Sequence, residues 1–166
     1  MIALVRHPAV NAHGRCYGRL DLELANPAAA ASLAARLAPL GGTVWTSPAR
    51  RCRCVAEALG AHWVDDRLQE LDFGEWEGLA WDDVPRASLD EWAANPWGFA
   101  PPNGETGAAL VSRVSTFAAQ CEEGDHIVIT HGGPLKVLTA VLRNEAVCLL
   151  ASAPPPGSIQ IVQAAR

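Results

Sequence analysis

Two arginines and two histidines in this sequence carry the side chains that phosphoryl transfer needs: Arg6, His7, Arg51 and His131. Guanidinium groups neutralise and orient phosphoryl oxygens through forked hydrogen bonds. A neutral imidazole nitrogen can attack phosphorus and form a covalent intermediate. Because nearby positive charge disfavours protonation of an imidazole, arginines beside His7 would keep it nucleophilic near neutral pH. We therefore predict that His7 is the nucleophile, and that His131 and the Gly132 amide at a helix start stabilise the phosphoryl charge.

The leaving oxygen of a phosphate ester also needs a proton. A nearby carboxylic acid can supply it and later accept a proton from the attacking water. The candidates in the middle of the chain are Glu70, Asp72, Glu75, Glu77 and Glu105. Residue chemistry alone does not choose among them.

Alternating strand and helix patterns predict the frame that positions these groups. Unbroken apolar runs are typical of strands buried on both faces of a sheet. The sequence predicts strands at 2–5, 43–46, 62–65, 127–130 and 158–163. Helical spacing with matching start and stop residues predicts helices at 27–39, 47–59, 106–122 and 134–142. This alternation indicates an α/β fold, a three-layer sandwich whose mainly parallel sheet carries helices on both faces.

The same frame predicts where the functional side chains meet. Ligands of open α/β sheets bind beyond the carboxyl ends of the strands. His7, the segment leading to Arg51, and His131 each follow a predicted strand, so we expect them to converge on one sheet edge. Residues 66–105 are expected to form an ordered excursion over that site, because their four tryptophans do not suit a flexible tether. We expect one domain over 1–166.

Composition narrows the classes of partner. The chain has 166 residues and a formal net charge of −5, which argues against a broad nucleic-acid footprint. The apolar start of the sequence is too short for a signal peptide, and no window approaches a membrane span. Five cysteines without a CxxC motif favour reduced thiols, so we expect a cytoplasmic protein that contacts neither membrane nor nucleic acid.

Five segments, in order along the chain, carry a resemblance to the histidine phosphatase superfamily, which includes phosphoglycerate mutases. Each segment matches a motif of that family, with similar separations between the motifs. They are LVRHP at 4–8, TSPARRC at 46–52, LQELDFGEWEG at 68–78, NGET at 103–106 and THGG at 130–133.

The resemblance implies a phosphoglycerate mutase-like fold and assigns roles to individual residues. His7 would accept the phosphoryl group, while Arg6, Arg51 and His131 would bind it, with Gly132 beside them. Glu70 would be the general acid and base, because it occupies the glutamate of the Leu-x-Glu motif. The family uses no metal, and we expect no cofactor.

A further segment, CYGRLDLEL at 16–24, resembles a small branch of α-ribazole-5′-phosphate phosphatases, which act in cobalamin synthesis. The resemblance implies that Tyr17, Gly18 and Arg19 lie beside the leaving group. His13 stands where the family often has a phosphate-contacting Asn, so it is a further candidate for substrate binding. The predicted activity is thus hydrolysis of a small phosphomonoester, with α-ribazole 5′-phosphate as the preferred substrate.

Other functions stay open at this point. A phosphoglycerate mutase would share the first motifs, although this chain lacks the length of the usual mutase insertions. A catalytically silent phospho-ligand module would be expected to lack an essential group. Zinc bound by His7 and His131 lacks suitable ligand spacing. A homodimer is compatible with the sequence.

Overall fold

Five strands form one mixed sheet in the computed structural model, which describes residues 1–121 and 123–163. They are β1 (Ile2–Arg6), β2 (Thr43–Thr46), β3 (Trp63–Val64), β4 (His126–Thr130) and β5 (Ile159–Val162). Their order across the sheet is β3-β2-β4-β1-β5. Only β5 runs antiparallel, against β1, among these described strands. The predicted mainly parallel sheet is therefore confirmed.

Helices cover both faces of the sheet, as the alternating pattern predicts. The α-helices are α1 (Ala28–Leu37), α2 (Arg50–Leu59), α3 (Arg86–Ala94), α4 (Gly107–Ala118) and α5 (Gly132–Leu142). Helices α1 and α2 pack on one face, and α4 and α5 on the other. The helix predicted over 106–122 ends as a 3₁₀ turn at Cys121, and Glu122 lies outside the described residues.

Alternation along β1 explains why its sequence is apolar without interruption. Ile2 and Leu4 point into the core shared with α4 and α5. Ala3 and Val5 point into the core shared with α1 and α2. All four side chains are buried, because a central strand with helices on both faces exposes neither side to water.

The excursion of residues 66–105 folds over the α4–α5 side of the sheet. It consists of 3₁₀ turns and α3, held together by an aromatic cluster of Phe73, Trp76, Trp81 and Trp92. Trp92 lies at its centre, with its ring 5.7 Å from Phe73 and 5.8 Å from Trp76. Edge-to-face contacts of this kind add to the burial of apolar surface, so the excursion is ordered as expected.

Candidate active site

The carboxyl ends of three strands bring the predicted residues to one edge of the sheet. His7 follows β1, Ser47 follows β2 and His131 follows β4. The two imidazole rings lie 5.1 Å apart, centroid to centroid, in an edge-to-face arrangement. His131 Nε2 lies 2.8 Å from Ser47 Oγ. All three residues are buried.

The hydrogen bond of His7 defines its tautomer. His7 Nδ1 lies 2.7 Å from the carbonyl oxygen of Pro8. A carbonyl oxygen only accepts hydrogen bonds, so Nδ1 carries the proton and donates it. In the neutral ring, Nε2 then holds a free electron pair. The loop after β1 thus leaves Nε2 as the unprotonated nitrogen of His7, the atom that could act as a nucleophile.

Burial and positive charge keep both imidazoles neutral. Burial, followed by the charge of Arg51, lowers the pKa of His7 from 6.5 to about 3. Burial also holds the pKa of His131 well below its ordinary value, with Arg51 again the largest charge contribution. A protonated imidazole could not attack phosphorus, so this environment preserves the reactive form of His7.

Stability is expected to fall as the pH drops below the ordinary range of histidine. Between pH 6.5 and about 3, the unfolded chain protonates residue 7 while the folded protein excludes that proton. Each such histidine contributes a slope of up to about 1.4 kcal/mol per pH unit. Urea denaturation at about pH 6 and about pH 5 measures the free energy of unfolding. Its decrease between these two pH values should therefore be smaller for His7→Asn than for the original protein. Equal losses would mean that His7 titrates freely in the folded state.

The two arginines each have a buried donor without an acceptor. Arg51 donates from Nη2 to Gly18 O at 2.7 Å and from Nη1 to Leu20 O at 3.0 Å. Arg6 donates from Nη1 to Pro154 O. The Nε–H groups of Arg6 and Arg51 are buried with no partner among the described residues. Because a buried unpaired donor is costly, both arginines are suited to an added oxyanion.

Glu70 belongs to the excursion, and its carboxylate lies against the start of α5. Its carboxylate accepts hydrogen bonds from the Gly133 amide at 3.1 Å and the Leu71 amide at 3.0 Å. A Cβ on Gly133 would collide with Glu70 Oε1, and a Cβ on Gly132 would collide with Ala153 Cβ. Gly133 therefore lets the Glu70 carboxylate approach the amide-rich end of α5 closely, and Gly132 makes room for the loop that carries Ala153.

The segment expected beside the leaving group is only partly at the site. Gly18 and Arg19 line a cavity of about 160 Å³ together with Glu70 and His131. Tyr17 instead packs its ring under the Arg51 guanidinium, 5.2 Å from centroid to Cζ.

His13 lies outside this group. It is exposed, in a turn with φ of 49°, and among the described residues it is not part of that cavity lining. A role for His13 in substrate binding stays a prediction.

Glu77 has a positioning role that the sequence did not reveal. Its carboxylate accepts from the backbone amides of Gly18, Arg19 and Leu20 at 2.9, 2.8 and 3.1 Å. The carbonyls of Gly18 and Leu20 are the groups that hold Arg51. Loop 18–20 thus connects the Glu77 carboxylate to the Arg51 guanidinium. From the sequence alone, a glutamate between tryptophan and glycine suggests only a surface charge.

Glu77→Gln should weaken this connection. The side-chain NH₂ group of glutamine cannot accept hydrogen bonds from the backbone amides that the carboxylate oxygen accepted. At least one backbone amide is then unpaired, which costs about 1–3 kcal/mol. We expect kcat/KM to fall about tenfold through a less well held Arg51. Glu75→Gln is the matched control, because Glu75 is exposed and accepts from Asn103 Nδ2. If both variants behave alike in kinetics and denaturation, loop 18–20 does not depend on Glu77.

An ion pair secures the segment that carries Glu70. Arg113 forms two hydrogen bonds with the Glu105 carboxylate, at 2.7 and 2.9 Å. It also donates to the backbone carbonyls of Arg67, Gln69 and Glu70. Glu105, one of the candidate acids, is therefore tied to Arg113 and secures the loop before α4.

The described part of the chain offers neither a metal-ligand cluster nor a membrane span. Within residues 1–121 and 123–163, His, Cys, Asp and Glu side chains form no group of three or more that could hold a metal ion. The same described ranges contain no helix long and apolar enough to cross a membrane.

Sequence comparison identifies the family. The chain belongs to the histidine phosphatase superfamily (branch 1), whose family model matches residues 2–163. A relative from Hydrogenobacter thermophilus, named a putative phosphoserine phosphatase, is 30% identical over 155 residues, covering 84% of this chain and 76% of that protein. Glucosyl-3-phosphoglycerate phosphatase from Mycolicibacterium vanbaalenii is 28% identical over 166 residues, covering 85% of this chain and 73% of that protein.

Solved structures agree with this assignment. The crystal structure of TTHB049 from Thermus thermophilus superposes with a TM-score of 0.76 at 29% identity, covering 95% of this chain and 90% of that one. A mycobacterial glucosyl-3-phosphoglycerate phosphatase in complex with VO3 gives a TM-score of 0.80 at 25% identity, with the same coverage. The predicted family and fold are confirmed, and the chain is a phosphomonoester hydrolase.

Proposed function

We propose that this chain, as a single domain, hydrolyses small phosphomonoesters through a phosphohistidine formed on His7. The observation that carries the proposal is the state of His7, with Nδ1 donating to Pro8 O and Nε2 free. Arg6 and Arg51 support it, since each has a buried Nε–H group without a partner in the described residues.

In the first step, His7 Nε2 attacks phosphorus while the bond from phosphorus to the ester oxygen breaks. The equatorial oxygens gain charge, which Arg6, Arg51 and His131 stabilise. Glu70 gives a proton to the departing oxygen, so an alcohol leaves rather than an alkoxide. The Nδ1–H bond to Pro8 O holds the ring in place throughout this step.

In the second step, water attacks the phosphohistidine. Glu70, now ionised, accepts a proton from that water as the bond from phosphorus to Nε2 breaks. Inorganic phosphate leaves, His7 returns to its neutral tautomer and Glu70 is again protonated.

Free cysteines at all five positions suit the reducing cytoplasm that we propose as its location.

The finer proposal is α-ribazole 5′-phosphate as the physiological substrate. It is supported by the segment at 16–24, of which Gly18 and Arg19 line the cavity beside Glu70. The names of the relatives add two alternatives, phosphoserine and glucosyl-3-phosphoglycerate.

A kinetic panel of these three esters tests the proposal. We expect phosphate release with the largest kcat/KM for α-ribazole 5′-phosphate. The panel includes 3-phosphoglycerate with bisphosphoglycerate priming, and we expect no isomerisation. Efficient isomerisation would make the protein a mutase, and no release from any ester would favour a phospho-ligand module.

A further inference from the structure

A second cavity, of about 210 Å³, shares Glu70 with the cavity that His131 lines. It shares Arg6, Glu70 and Gly132 with the proposed phosphoryl site, so it adjoins that site directly. Its other walls come from the excursion, from α4, from α5 and from the loop at residues 149–153. A group attached to a phosphate held by Arg6 can therefore extend into this cavity.

The walls of the cavity beyond the shared residues are mainly apolar. Phe73 and Trp92 supply two aromatic rings, and Leu110 and Leu149 supply aliphatic surface. Trp92 is held in place by the aromatic cluster, since its ring also stacks on Trp81 at 6.3 Å with an interplanar angle of 3°. The surface offered to a ligand is thus preformed and suits a flat apolar group.

One polar side chain stands among these apolar walls. Lys136, the only lysine of the sequence, projects from α5 and donates from Nζ to Leu149 O at 2.5 Å. An ammonium group has three donors, and this is the only hydrogen bond that its Nζ makes to the described residues. The side chain is half-buried, and this burial lowers the pKa of Lys136. An acceptor on a ligand would complete its hydrogen bonds.

We propose that this cavity receives the leaving group, and that it selects phosphomonoesters whose alcohol part is ring-bearing, mainly apolar and equipped with a hydrogen-bond acceptor for Lys136. This inference rests on the proposed function. Trp92 and Phe73 set the preference for a ring, and Lys136 sets the preference for an acceptor. Among the esters named above, α-ribazole 5′-phosphate fits, because its alcohol carries a benzimidazole ring, whereas phosphoserine has no ring.

Alkyl esters of matched leaving-group strength test the ring preference. The original protein should hydrolyse 2-phenylethyl phosphate with kcat/KM at least about tenfold above ethyl phosphate, because burial of a phenyl ring favours the bound state. Trp92→Ala should reduce this ratio to less than about threefold. Trp63→Ala is the matched control and should keep the ratio, since Trp63 is an exposed tryptophan on β3, outside the cavity.

A second cavity variant tests the same preference if Trp92→Ala does not fold. Leu150 lines the cavity and is 64% exposed, so Leu150→Asp places a charge at its mouth without disturbing the core. It should lower the phenylethyl-to-ethyl ratio as well. A ratio near one in the original protein, or an unchanged ratio in both cavity variants, would overturn the proposal.

The role of Lys136 has its own readout. We expect 2-(pyridyl)ethyl phosphate, with a ring nitrogen as acceptor, to exceed 2-phenylethyl phosphate in kcat/KM by about tenfold or more, on the order of one hydrogen bond to a charged group. Lys136→Met should abolish that difference and keep the preference for a ring over ethyl. A difference that survives in Lys136→Met overturns the Lys136 assignment.

Different results would contradict the proposed function and the proposed leaving-group site. If no ester is hydrolysed in a His7-dependent way, the proposed function is wrong. If ethyl phosphate is hydrolysed through His7 but the ratios do not respond to Trp92, Leu150 or Lys136, only the leaving-group site is wrong.

Discussion

His7→Ala is expected to abolish turnover of every phosphomonoester, with a fall of at least about 10⁴-fold in kcat, because the variant lacks the imidazole that accepts the phosphoryl unit in the proposed mechanism. The same change should abolish acid-labile labelling of the protein by a phosphodonor. A phosphorus–nitrogen bond is lost in acid, whereas a phosphoserine ester would survive. Steady-state phosphate release and a labelling experiment with an acid-stability step measure both effects.

His62→Ala provides a close control for this experiment. His62 Nδ1 donates to the Gly60 carbonyl oxygen at 2.8 Å, the same kind of local hydrogen bond that His7 makes to Pro8. His62 follows α2 and lies outside the strand ends that form the site. We expect normal turnover and labelling for this variant. Normal turnover or labelling in His7→Ala would contradict the phosphohistidine mechanism.

Glu70→Gln is expected to have the second-largest effect, and its size should depend on the leaving group. Glutamine has nearly the shape of glutamic acid but cannot transfer a proton. Alkyl esters, whose leaving groups need protonation, should lose about 10²–10⁴-fold in rate. p-Nitrophenyl phosphate, whose leaving group departs as a stable anion, should lose less than about tenfold in the phosphorylation step. Single-turnover kinetics isolates that step.

Glu57→Gln serves as the control, because Glu57 pairs with Arg53 on the exposed side of α2. Its kinetics should not change. A loss in Glu70→Gln that is equal for good and poor leaving groups would show that Glu70 is not the general acid. It would leave Glu70 as a group that only orders the start of α5, where its carboxylate accepts from the Gly133 amide.

The architecture was largely predictable because the physics involved is local. Residues 2–5 and 127–129 are apolar without a break, and a short run of this kind is typical of a strand covered on both faces. The observed ends of the helices differed more from the predicted ones. The helix predicted from residue 47 begins at Arg50, because the backbone of Ala49 is extended, with ψ of 135°.

The sequence by itself determined which residues are candidates for the chemistry that we propose. It placed Arg6-His7 and His131 directly after strands, and parallel strands bring their carboxyl ends to one edge. The order of the elements is enough to bring these residues together, whatever the positions of their side chains. The five ordered segments added the family, which the comparisons confirm.

Only the tertiary structure decided which groups touch. It gave His7 its tautomer through Pro8 O, joined Glu77 to Arg51 through loop 18–20, and set Lys136 among apolar walls. Each of these contacts depends on the path of a loop, and loop paths follow from packing between elements distant in sequence, which no local pattern specifies. His7 was thus predictable as the candidate nucleophile from its neighbours in the chain, whereas the ring nitrogen that stays free and the shape of the cavity beside Glu70 were not.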